Sequence, residues 1–202
     1  MTPNPFVCKN LGKIRVTREC PRGRWFLVTT GRELWTATHG MVLGAFFLLS
    51  FSGVMVALYS LRPEWLTPAG ISERLRLAKL GTGLMAIVGW LTVVIGTYVV
   101  YPWYRAKPPA GANLAEYPRS LLLSQPHLAG WHTFGMEWKE HVAWFCPILA
   151  TAVFFVIWRY GDQIAASPRL RMAVGIVFVL AFSSAAIAGL FGAFITKAAP
   201  LM

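Results

Sequence analysis

Four stretches of this chain are long, apolar and free of Asp, Glu, Lys and Arg at their middle. They run from Trp35 to Leu61, Leu80 to Tyr101, His141 to Trp158 and Met172 to Ile195. A bilayer core is crossed by a helix of about 20 residues. Inside lipid no water is at hand to satisfy a peptide group, so an isolated apolar segment crosses as a helix. The fold class that follows is all-α: an integral membrane bundle of four transmembrane helices. Trp35, Tyr59, Trp65, Trp103, Tyr104, Trp138, Trp158 and Tyr160 cluster at the span ends, where amphipathic rings prefer headgroup depth.

Composition agrees with this. Of 202 residues, 56% are hydrophobic and 13% charged, against about 25% charged in soluble domains. That excludes a disordered chain, a nucleic-acid-binding domain and most soluble enzymes. The net charge of +11 comes from basic residues in short segments flanking the spans, as membrane topology requires. Cys8, Cys20 and Cys146 have no CxxC spacing and give neither a disulfide framework nor a zinc site.

Residues 1–34 form a basic N-terminal arm, and residues 35–202 the four-helix domain. The arm lacks the short apolar core and cleavage site of a signal peptide. Its alternation at Ile14 and Val16, and the run Trp25–Val28, predict a short hairpin or extended arm turning around Pro21–Gly23. With four spans, both termini and the second connection share one side. Twelve Lys and Arg fall there and seven on the other, which predicts cytoplasmic termini in a bacterial inner membrane.

The first connection, 62–79, predicts a short interfacial helix over Ile71–Leu77. The third, 159–171, predicts a plain polar turn. The second, 105–138, is long: an extended Pro/Gly-rich piece from Lys107 to Pro118, then a short interfacial helix, then a segment in which His127, Trp131, Phe134, Trp138 and Val142 share a helical face. That segment either lies flat on the membrane or begins the third helix early. Small residues mark faces on three spans: Gly40, Gly44 and Gly53; Gly81, Gly83, Gly89 and Gly96; and Ser183 to Gly192. They let helix backbones approach, or they make room for a flat cofactor or lipid-like molecule.

All four histidines fall on the side of the termini. His39 and His141 lie just inside spans that run in the same direction, close to Trp35 and Trp138. Two imidazoles on facing helices can hold one b-type haem, with His39 and His141 as axial ligands and His132 in reserve. Arg32, Arg105 and Lys139 are then the partners of its propionates. A single-histidine pigment site is a variant of this idea. A non-haem metal would draw on Glu137, His141, His39 and His132, in no dense metal motif. A quinone head would lie between aromatic walls, with His39 or His141 and Tyr98. The plainer alternative is that His39 bonds a backbone carbonyl or Thr36, while His141 pairs with Glu137 four residues earlier.

Other chemistry finds little support. Cys146, beside Pro147 in the third span, is an inert apolar thiol. No nucleophile has a local base motif, and no Gly-rich phosphate loop is present. Spans without central acids or bases argue against autonomous transport.

Two strings, Gly96-Thr97-Tyr98-Val99-Val100-Tyr101-Pro102-Trp103-Tyr104-Arg105 and Met136-Glu137-Trp138-Lys139-Glu140-His141, resemble a motif pair of small four-span bacterial membrane proteins without an assigned activity. There a Tyr-Pro-x-Tyr-Arg end of the second span is followed by a Lys-Glu-His start of the third. The resemblance implies a four-helix fold, with Tyr101, Tyr104, Arg105, Lys139, Glu140 and His141 at one interface. The function expected is a small integral membrane subunit of a respiratory or photosynthetic electron-transfer complex, binding one haem b through His39 and His141. A cofactor-free structural or assembly subunit is the alternative, and a metal- or quinone-binding membrane protein a third. The partners implied are the lipid bilayer, other membrane subunits and a quinone.

Overall fold

A computed structural model of the protein describes residues 30–199. The arm's expected hairpin around Pro21–Gly23 lies outside them. Four long apolar helices cross in alternating directions: α1 (Gly31–Ser60), α2 (Pro68–Tyr104), α4 (Trp131–Ala166) and α5 (Pro168–Ala198). A fifth, short helix, α3 (Pro118–Ser124), lies in the connection from α2 to α4. This is a multi-span membrane protein, and α1 packs on α2, α2 on α4, α4 on α5 and α5 back on α1.

Local sequence sets the helix ends. Thr30 caps α1 in a reciprocal box: its hydroxyl accepts from the Glu33 amide at 3.2 Å, and the Glu33 carboxylate accepts from the Thr30 amide at 2.7 Å. Thr67 and Ser167 cap α2 and α5, each followed by a proline at the first helical position, where a missing N–H costs nothing. Two connections differ from the sequence-based expectation. Ile71–Leu77 is not a separate interfacial helix but continuous with the second span, because nothing after the cap at Thr67 interrupts it. The third connection is mostly helical: α4 kinks at the non-helical Tyr160 (φ −123°, ψ 24°), continues to Ala166, and Ser167 alone separates it from α5 at Pro168. The segment from Trp131 begins the third spanning helix early.

The core is close-packed through glycines on α2. A Cβ on Gly81 would stand 2.5 Å from Val54 of α1, and one on Gly83 would meet Phe154 of α4 at 3.2 Å. Gly89 faces Pro147 and Cys146, and Cys146 is buried among apolar side chains as expected. These glycines serve helix packing. Gly40, Gly44 and Gly53 on α1 do not, because a Cβ on any of them meets no atom within 4 Å. Between α1 and α5, Phe47, Phe51, Phe178 and Phe182 form a stack with centroid distances of 3.8 to 5.5 Å. A second core, Tyr104, Leu122, Met136, Ile195 and Ala199, seals the end at which the long connection lies.

Candidate functional site: a polar end of the bundle

Three of the four spanning helices widen into a π-helical turn at the same end of the bundle. The turns are Thr38–Val42 in α1, Gly96–Val100 in α2 and Trp131–Met136 in α4. Each inserts about one residue into the helix and re-aims the side chains around it; such turns recur at functional sites. In α2 the turn precedes Pro102, whose missing N–H already loosens the ladder there. His39 and His132 lie within two of the three turns.

His39 points into the bundle. Its ring lies against Gly96, where a Cβ would stand 2.9 Å from Cε1. The backbone carbonyl of Thr92 is its hydrogen-bonding neighbour and Lys139 its charged one. Nδ1 is buried and has no hydrogen-bond partner among the described residues. Lys139 also points inward, from α4. Its ammonium donates to the Ala188 carbonyl at 3.3 Å and fills the notch left by Gly192, where a Cβ would be 2.6 Å from Nζ. Among the described residues it forms no salt bridge. An ammonium with one backbone acceptor inside a span is an exposed cost in free energy, and so is an imidazole nitrogen with none.

His141 is two residues beyond Lys139. Two residues on a helix are about 200° apart, so when Lys139 faces in, His141 faces out. Its side chain is 71% exposed, with Nδ1 3.0 Å from the Glu137 carbonyl and 3.5 Å from the Glu137 carboxylate. The structure therefore does not bring His39 and His141 together; His141 makes the local pair with Glu137 that the plainer alternative describes. Tyr98 is also on the outer face, 72% exposed, and forms no wall beside His39. His127 is exposed as well. Among the described residues no three His, Cys, Asp or Glu side chains converge as metal ligands, so Glu137, His141, His39 and His132 do not form one metal site.

His132 stands nearer the surface and has both nitrogens engaged. Arg119 Nε donates to Nε2 at 3.3 Å, which makes Nδ1 the N–H that donates to the Tyr104 hydroxyl at 2.9 Å. Tyr101 stacks on Tyr104 at 6.3 Å, and the Arg105 guanidinium lies 5.3 Å over the Tyr101 ring. Glu140 neighbours the Tyr101 hydroxyl, and its Oε1 is buried without a partner among the described residues. The sequence brought Arg105, Lys139 and His132 to this end. It did not indicate the bonds among Arg119, His132 and Tyr104, which join a loop helix to two spans.

The end of the bundle thus holds two inward-facing polar groups, the His39 imidazole and the Lys139 ammonium, under a surface layer of Tyr101, Tyr104, His132, Arg119 and Arg105. The chain matches no family model, no curated protein and no solved structure, and its own residues identify it as a four-span membrane protein with a polar end.

Proposed function

We propose that this chain is a small integral membrane subunit of an electron-transfer complex, and that the His39 end of its bundle holds the redox group. The supporting observation is the His39 imidazole inside the bundle with Nδ1 unpartnered. A buried ring nitrogen inside a span with no hydrogen-bond partner among the described residues is open to a bound group. The Lys and Arg bias supports a cytoplasmic orientation for this end.

A b-type haem in this role takes His39 as one axial ligand. The second is not at hand among the described residues: His141 faces outward, and His132 is held by Tyr104 and Arg119. Such a haem is shared with a neighbouring subunit, with Lys139 and Arg105 available to its propionates. The outward His141–Glu137 pair favours a second role, a cofactor-free structural subunit that docks a partner at this polar patch.

The test is to isolate the chain with its native neighbours in mild detergent. A reduced-minus-oxidised spectrum then reports haem, and solvent extraction reports quinone. We expect an oxidoreductase to co-purify, with a redox group lost from the chain in His39→Ala. A complex with neither oxidoreductase subunit nor redox group overturns the electron-transfer role and leaves the structural one.

A further inference from the structure

We infer that the end of the bundle opposite His39 carries a site for a phospholipid headgroup with both a phosphate and a primary ammonium, as in phosphatidylethanolamine. The site is a cavity of about 390 Å³ between α2 and α4, within the roughly 300–1,000 Å³ of small-ligand pockets. Pro68, Ile71 and Leu75 give it an apolar side, and Ser72, Arg76, Lys79 and Asp162 a polar one. The α2 members recur at steps of three and four, so they form one face of that helix. Asp162 comes from α4, two residues after the kink at Tyr160. Its neighbour Gly161 packs on α2: a Cβ there would stand 3.4 Å from Leu75 and 3.7 Å from Cε of Lys79. The depth is that of headgroups. α2 has 37 residues, about 55 Å of helix, against a hydrocarbon core of about 30 Å. Lys79 is the last charge before the charge-free run at 80–101, so residues 68–79 project from the core into the headgroup layer.

The charges around this cavity are balanced, yet not spent on one another. Arg76 donates through Nε and Nη2 to the two carboxylate oxygens of Glu73, both at 2.9 Å, which leaves Nη1 outside the pair. Among the described residues Lys79 and Asp162 form no salt bridge, either together or with another group. An ammonium and a carboxylate that line one cavity without pairing suit a ligand that carries the complementary pair. A phosphate accepts from Lys79, from Arg76 Nη1 and from the Ser72 hydroxyl, while a primary ammonium donates to Asp162. The glycerol and first acyl carbons then lie along Ile71 and Leu75. Glu73 and Asp162 offset the two cations, so an anionic headgroup gains no net attraction and meets Asp162 with like charge. A choline headgroup has the charge for Asp162 but no N–H to donate. The site holds whether or not the His39 end carries a redox group.

The probe is palmitoyl-oleoyl-phosphatidylethanolamine, titrated into the delipidated chain in detergent and counted by native mass spectrometry. One charge-assisted hydrogen bond corresponds to roughly tenfold or more in affinity. The first lipid should therefore bind at least about tenfold tighter than phosphatidylcholine or phosphatidylglycerol with the same acyl chains. Asp162→Ala should lose that preference and bind phosphatidylglycerol no more weakly than the native chain does. Lys79→Met should weaken all three lipids, by about tenfold, because they share the phosphate. Arg169→Gln removes an exposed cation at the same end but outside the cavity, and should bind as the native chain does. Circular dichroism and gel filtration establish folding; if Lys79→Met does not fold, Asp162→Ala, at an exposed position, decides. Equal affinity of the native chain for the three lipids, or an unchanged preference in Asp162→Ala, overturns the inference. Tightest binding of phosphatidylglycerol overturns it in favour of an anionic headgroup. Displacement by glycerophosphoethanolamine at the lipid's own concentration overturns the lipid as the source, in favour of a soluble phosphodiester.

Discussion

Replacing Gly96 with alanine tests the contact that seats His39. The new Cβ would stand 2.9 Å from Cε1, 3.4 Å from Nε2 and 3.6 Å from Nδ1 of the ring. Carbon atoms settle at about 3.5–4.0 Å, so the imidazole must retreat by roughly 0.6–1 Å. Overpacking of that size costs about 1–3 kcal/mol. Alanine recovers about 1 kcal/mol over glycine in a helix, so the net destabilisation is about 0–2 kcal/mol. The double-mutant cycle is sharper. With His39→Ala in place the clash disappears and Gly96→Ala becomes stabilising by about 1 kcal/mol. The difference between the two backgrounds is then about 1–3 kcal/mol, the coupling of residues in contact. Reversible unfolding of the chain in mixed micelles by added SDS, followed by circular dichroism, measures all four corners. Effects that add to within about 0.5 kcal/mol would refute the placement of His39 against α2.

Lys139→Met should raise stability by about 1–3 kcal/mol in the same assay, because it removes an ammonium from inside a span; a loss would mean that its bond to Ala188 and its packing outweigh desolvation. Tyr104→Phe strips the acceptor from His132 Nδ1 and should cost about 1–3 kcal/mol, with a changed His132 ring resonance in NMR. An unmoved resonance would contradict the bond. Thr30→Ala should cost about 1 kcal/mol and speed amide hydrogen exchange over the first turn of α1 only; unchanged exchange would mean the capping box does not form.

The fold was legible in the sequence because lipid leaves a spanning segment few choices. Charge-free runs marked all four helices, with Trp or Tyr at the ends of the first three, and the caps at Thr67-Pro68 and Ser167-Pro168 are visible as residue types. Element ends were less legible. Ile71–Leu77 carries Glu73, Arg74 and Arg76 and resembles a surface helix, yet a helix that leaves the membrane needs no new cap, so it joins the second span. At the site, His39 was found because a polar residue in an apolar run stands out. Its partner was not. In Lys139-Glu140-His141 three polar residues follow one another, and helix geometry admits only part of that arc to the interior. The depth of each residue could be read from the sequence, but its direction could not. The π turns were hidden for a related reason: where most faces are apolar, one extra residue per turn leaves the hydrophobic pattern unchanged.

Ser167 is the whole connection between α4 and α5. Its amide bonds back to Gln163 at 2.9 Å, its hydroxyl accepts from Leu170 at 3.3 Å, and Arg171 ties to the Ala165 carbonyl at 3.1 Å. A joint so short and so braced leaves two long helices almost no independent travel. The joint itself is rigid, and the bend in this pair of helices sits instead within α4, at the non-helical Tyr160 (φ −123°, ψ 24°).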